Sequence, residues 1–254
     1  MITDGLTNLF KLCLFLVLLI TTPIETFGNQ DGIPKSQIDS IQKLIHQYIM
    51  NNPEVIVNSL QKMQEKEKKR KSLKAKNNIK KLKNELFYDP NSPVVGNKNG
   101  DVTIVEFFDY RCGYCKRVLP TLLKAINSDP NVRLVLKEYP ILGPESVLAS
   151  KIALAIWLID KKKYSIFHNS LMRVKGNSSR QMLFDLGESI GIKASILEKK
   201  LASDQVNSMI RKNYELAQAM NISGTPAFIV GEEIVPGAID FDILKKLIKK
   251  ARKQ

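Results

Sequence analysis

The chain has 254 residues, 39 basic against 25 acidic side chains, a formal charge of +14, 44% apolar residues and three cysteines. This composition excludes a disordered tail, a collagen-like repeat and a disulfide-dense miniprotein, and it allows one medium domain with an appendage. A real hydrophobic core is therefore expected.

Residues 12–20 form an unbroken apolar run, preceded by Lys11 and followed by Thr26-Phe27-Gly28, a small-x-small sequence. At about 1.5 Å per residue this run is too short for a hydrocarbon core of about 30 Å, so residues 1–28 read as a cleavable export signal rather than a membrane span. Cys13 is then an apolar member of that signal. Residues 29–64 read as a helical N-terminal extension. Ile38, Ile41, Ile45 and Tyr48 make one helical stripe, and beyond Asn51-Asn52-Pro53 the residues Val55, Ile56, Leu60 and Met63 make another. Pro53 suits a first helical turn capped by Asn52. Two such helices have no core of their own, so residues 36–63 must cover their stripes with either the main domain or a second copy of the chain. His46 reads as a helix-face residue.

Residues 65–90 read as a basic linker or helix. Ten Lys or Arg side chains and a single acid, Glu67, fall within residues 66–83. The stretch holds no aromatic residue to stack on bases and no recognition motif, so it is read as a solvated charged segment and no nucleic-acid partner is expected.

From residue 91 to the end the pattern is that of an α/β domain. Val102-Thr103-Ile104-Val105-Glu106-Phe107-Phe108 predicts a strand buried on both faces, residues 112 to about 126 a helix, and residues 132–136 a second strand. Residues 144–220 carry only helical patterns, such as Val147, Leu148, Ile152, Ile156 and Ile159. Ala227-Phe228-Ile229-Val230 returns to strand, Gly231-Glu232-Glu233 predicts a hairpin turn, Ile234-Val235 its partner, and Asp240 caps a last amphipathic helix. The order βαβ, helical insertion, ββα predicts a small mixed sheet with flanking helices.

Beyond the signal, Cys112 and Cys115 are the only cysteines, standing as Cys112-Gly113-Tyr114-Cys115 where the buried strand turns into a helix. Free N–H groups at a helix start favour a thiolate at Cys112. Three-residue spacing puts Cys115 on the same face, within reach to resolve a mixed disulfide. Zinc would need four ligands, and only His46 and His168 remain, far apart in the chain; an iron–sulfur cluster would need four thiolates, so no metal and no cofactor is expected. A structural disulfide across two residues would close almost no loop. A switchable redox pair is the economical reading. Ser223-Gly224-Thr225-Pro226-Ala227-Phe228 places a proline at a strand start, where it suits an edge, a first position or a cis turn. Glu106 sits mid-strand among apolar residues, six before Cys112; burial would raise its pKa and let it exchange a proton with Cys115, whereas an edge glutamate reaching solvent or a partner for one of the many lysines is the alternative. Asp109 and Arg111 read as surface residues shaping the local field.

On the strand-CxxC-helix unit, the helical insertion, Gly224-Thr225-Pro226 and the closing helix, residues 101–252 resemble the DsbA family of exported thiol–disulfide oxidoreductases, in particular its Com1-like and ScsC-like members. The resemblance implies a thioredoxin-like fold with an inserted helical domain, preceded here by the short helical extension. It implies Cys112 as nucleophile, Cys115 as resolving thiol, and Pro226 as a cis residue beside Thr225. It implies cysteine-containing exported clients, a membrane partner that reoxidises the pair, and a periplasmic location. The chain differs from founding members in carrying Gly113-Tyr114 where they have Pro-His, and Thr225 where they have valine. The second difference, with the extension, also brings an oligomeric disulfide isomerase into view. A non-enzymatic envelope scaffold is the reading of another class.

Overall fold

The computed structural model describes residues 34–176 and 178–253; the expected signal at residues 1–28 lies outside them. The chain divides after Met63 into two compact units. In the first, helix α1 (Lys35–Asn51) stops because the Asn52 side-chain amide and backbone N–H both donate to the Tyr48 carbonyl, at 2.8 and 2.9 Å, and Pro53 follows. Helix α2 (Glu54–Lys81) then begins and does not end at the apolar stripe: the basic stretch is helical up to Lys81. α1 buries none of its residues. Ile38, Ile41, Leu44, Ile45 and Tyr48 are all exposed, Leu44 by 70%.

The second unit contains the remainder of α2, then α3 (Lys83–Phe87), β1 (Val94–Gly96), β2 (Val102–Phe108), α4 (Gly113–Ser128) and β3 (Val132–Glu138). Five helices follow: α5 (Pro144–Ile159), α6 (Lys161–Arg173), α7 (Arg180–Ser189), α8 (Ala194–Leu201) and α9 (Asp204–Ala219). The chain closes with β4 (Ala227–Val230), β5 (Glu233–Pro236) and α10 (Phe241–Ala251). The Asp240 side chain caps α10, accepting from the Ile243 N–H at 2.8 Å. The sheet order is β1-β3-β2-β4-β5, with β2 and β3 parallel and the other neighbours antiparallel. β1 was not foreseen in the sequence.

β2 lies in the middle of the sheet and is covered on both faces, which explains its almost unbroken apolar run. Ile104 and Phe108 join Leu134 and Leu136 in a core with α4, α5 and α6. Val105 and Phe107 face the other way, into a second core with Ile79, Leu86, Phe87 and Leu216. Two basic side chains of β3, Arg133 and Lys137, also lie on that second face, and Arg133 donates to the Phe87 carbonyl. Lys137 is fully buried, and its ammonium donates to the Glu85 carbonyl and to Ser92 Oγ, both at 2.7 Å, with Asp89 at 3.8 Å. This pins the segment between α3 and β1 to the sheet.

Burial lowers the Lys137 pKa from 10.5 to about 8, against the pull of Asp89. The unfolded chain therefore holds more protons than the native one between these values, and native stability rises with pH across that window. Denaturant unfolding should show a gain of up to about 3 kcal/mol from pH 8 to 10.5 that Lys137→Met lacks. Parallel curves for the two proteins would refute the burial argument.

Candidate active site

β2 delivers the chain into a four-residue turn, Asp109 to Cys112, and α4 starts at Gly113. Cys112 is itself the helix N-cap, with extended backbone, and its sulfur accepts from the Cys115 backbone N–H at 3.3 Å. An N-cap acceptor there satisfies an N–H that the helix leaves without an internal partner. Both cysteines are free thiols, Cys112 6% and Cys115 0% exposed. The loop before β4 comes up against them: the Cys112 thiol donates to the Thr225 carbonyl at 3.2 Å, and the Thr225–Pro226 peptide is cis. Residues 113 apart in sequence thus meet at one sulfur.

The two thiols are driven apart electrostatically. Cys112 is pulled from its ordinary 9.0 down to about 5, first by a hydrogen bond from the Cys115 side chain, then by donation from the Thr225 side chain and from the Cys115 and Tyr114 backbone, against the cost of burial. Cys115 is pushed far up by burial, then by its bond to Cys112 and the nearby charge of Glu106. Glu106 is fully buried at the centre of β2, and neither of its carboxyl oxygens has a hydrogen-bond partner. Burial, then the charges of Cys112 and Glu138, raise it to about 8.

The expectation for Asp109 is corrected. Its carboxyl is fully buried and accepts four hydrogen bonds: from the Arg111 N–H at 2.7 Å, the Ile141 and Leu142 N–H groups at 2.9 Å and Ser146 Oγ at 2.7 Å. It ties the turn before Cys112 to the loop after β3, whose donors lie some thirty residues downstream, where local sequence cannot reveal them. Arg111 is exposed as expected, and it bridges to Glu145 at 3.1 Å and donates to the Leu142 carbonyl at 2.8 Å. Tyr114 stands exposed between the cysteines with the Arg117 guanidinium 4.1 Å from its ring centre. His168, on α6, is buried against Tyr110, with 3.1 Å between Nδ1 and the phenol oxygen. His46 lies on α1, in the other unit. Among the described residues no group of three or more His, Cys, Asp and Glu could hold a metal. A depressed thiol at a helix mouth, a second, buried thiol behind it and a buried carboxyl beside that thiol make an arrangement suited to dithiol–disulfide exchange.

Comparison with known proteins agrees. Residues 103–249 match the DSBA-like thioredoxin domain family, and residues 37–70 match the copper resistance protein ScsC N-terminal domain. Disulfide bond formation protein D of Bacillus subtilis is 29% identical over 171 residues, 63% of this chain and 77% of that protein. The crystal structure of a thioredoxin-like oxidoreductase from Silicibacter pomeroyi superposes with a TM-score of 0.64 at 38% identity, covering 67% of this chain and 98% of that one. A periplasmic thioredoxin-like protein from Salmonella enterica gives 0.63 at 32% identity, covering 68% and 97%. The sheet, the inserted helices and the family match over more than half of the chain establish that this protein belongs to the DsbA-like thioredoxin domain family of thiol–disulfide oxidoreductases.

Proposed function

We propose that the protein forms disulfide bonds in exported proteins, with Cys112 as nucleophile and Cys115 as resolving thiol. The observation that carries this reading is geometric: Cys112 caps α4 with its sulfur accepting from the Cys115 N–H at 3.3 Å and faces the cis Thr225–Pro226 peptide, and this setting draws the Cys112 thiol down while burial pushes Cys115 up. In the oxidised enzyme a client thiolate attacks Cys112 Sγ and breaks the Cys112–Cys115 bond. Cys115 leaves as thiolate and takes the proton of Glu106. A second client thiolate attacks the client sulfur of the mixed disulfide and expels Cys112, a good leaving group because its thiolate is stabilised. The client loses two electrons as its disulfide forms, and the enzyme ends as a dithiol. A disulfide-donating membrane partner returns it to the oxidised state.

Thr225 and Pro226 face Cys112 from the opposing loop, and Pro226 brings no N–H of its own to compete for an incoming backbone. Their role in this reading is to receive the client strand beside the mixed disulfide. The apolar run at residues 12–20, the economy of two cysteines and the periplasmic relative support export to the periplasm. The bare stripe on α1 supports a second copy of the chain as its cover. Disulfide isomerisation, the alternative reading, would need such an oligomer, so sedimentation of the full chain bears on direction. Sedimentation as a dimer or larger species is expected, with Ile41→Asp/Ile45→Asp shifting it to monomer. A monomeric wild type at tens of micromolar would remove the isomerase reading.

Iodoacetamide should modify Cys112 of the reduced protein with a pH midpoint near 5. A midpoint at the free-thiol value of about 8.5 would overturn the assignment. Cys115→Ser should accumulate mixed disulfides with clients, and Cys112→Ser none. Glu106→Gln should slow attack of Cys115 on a Cys112 mixed disulfide by about a hundredfold and abolish the limb of the pH profile near 8. An unaltered limb would remove Glu106 from the chemistry.

A further inference from the structure

A second carboxyl is buried behind the cysteine pair, and the exchange described above makes no use of it. Glu138 ends β3, fully buried, and pairs in register with Phe108, while Glu106 pairs with Leu136. Residues two apart on a strand share a face, so Glu106 and Glu138 lie on the same side of the sheet, diagonally across adjacent strands. Three hydroxyls hold Glu138: Tyr110 at 3.0 Å and Tyr164 at 2.9 Å on one oxygen, Ser150 at 2.8 Å on the other. Tyr110 comes from the turn before Cys112, Ser150 from α5, and Tyr164 from α6. One carboxyl therefore locks two inserted helices to the residue two places before the nucleophile.

The other titratable groups near this carboxyl are His168, Asp109 and Glu106. His168 stacks on Tyr164, with ring centres 5.7 Å apart, and burial lowers it to about 3, so it is a neutral imidazole. Asp109 adds like charge. Burial raises Glu138 to about 8, and the hydroxyls of Ser150, Tyr164 and Tyr110 draw it back. Glu106, by contrast, has no donor at all. Of two buried carboxyls in one dry layer, the one with three donors takes the negative charge more readily, and its charge then discourages ionisation of the other.

We infer that Glu138 is a positioning residue for thiol exchange: its charge, fixed by Tyr110, Tyr164 and Ser150 on the sheet face that carries Glu106, sets the pH at which Glu106 accepts the Cys115 proton. The inference deepens the proposed role of Glu106 and rests on it. In the step concerned, the Cys115 sulfur attacks Cys112 Sγ of a mixed disulfide, its proton passes to the Glu106 carboxylate, and the bound thiol departs with the electron pair of the broken S–S bond. With Glu138 neutral or absent, Glu106 is ionised at lower pH, and this step begins at lower pH.

The test uses the full chain and Ellman's reagent. The reduced protein forms a thionitrobenzoate adduct at Cys112, and release of the second thionitrobenzoate reports attack by Cys115. In wild type the rate of this second phase should rise with a midpoint near 8. Glu138→Gln keeps the shape, and Tyr110 retains His168 Nδ1 as an alternative acceptor. The variant should move the midpoint down by about one pH unit. Ser150→Ala, which removes only one donor to Glu138, should move it the same way by less. In a Glu106→Gln background the limb should be gone and Glu138→Gln should change nothing further. A limb that survives Glu106→Gln would sink the role of Glu106 itself. A limb lost in Glu106→Gln but unmoved by both Glu138→Gln and Ser150→Ala, whatever their melting temperatures, would sink this inference alone.

Discussion

A thiolate at Cys112 is the interaction on which the rest of the site depends. It is a negative charge on a side chain only 6% exposed, and such a charge is costly unless donors surround it. The donors come from three directions: the Cys115 thiol, the first backbone N–H groups of α4, and Thr225 from the loop before β4. A thiol lowered from 9.0 to about 5 stabilises the reduced protein by about 3 kcal/mol at pH 7, because the stabilisation is complete above the ordinary value and is lost as pH falls through the native one. The protein achieves this without a histidine between its cysteines, since Gly113-Tyr114 occupies that place.

Donors of this kind work only if the backbone that offers them does not move. The turn from Asp109 to Cys112 is held at two of its buried side chains, Asp109 by the loop after β3 and Tyr110 by Glu138. These anchors join the cysteine turn to the end of β3 and to α5 and α6. The inserted helices therefore do more than cover one face of the sheet; they fix the approach to the reactive sulfur. Buried polar groups with all their partners present hold such geometry better than apolar contacts, because a displaced hydroxyl leaves an unpaired group in a dry layer.

The reactive pair was legible in the sequence because its chemistry is local. Three residues of spacing at a strand-to-helix junction place both sulfurs on one helical turn wherever the fold puts that helix. Pro226 was legible as a strand-start proline, and the helical insertion through its periodicity. What escaped was set by distance or by length. Val94-Val95-Gly96 is too short to carry a period, so β1 emerges only through its pairing with β3. Asp109 looked like a surface residue because its donors arrive from residues 141–146. The second strand was expected over residues 132–136, short of the charged Lys137 and Glu138. Both are in fact fully buried, and strand alternation sends them to opposite faces, Lys137 to the Ser92 side and Glu138 to the cysteine side.

That alternation explains why the central strand tolerates a carboxyl at all. Ile104, Glu106 and Phe108 point to one face of β2, and Val105 and Phe107 to the other. A slip of one residue in the pairing of β2 with β3 would carry Glu106 into the apolar layer of Ile79, Leu86 and Phe87, away from both thiols. It would also put Phe107 and Val105 against α4. Register is thus enforced twice, by the two apolar cores and by the polar groups that only one face can satisfy. The carboxyl that weakens the strand as a packing element is the same group that makes a one-residue shift unaffordable, so the site and the sheet select a single alignment together.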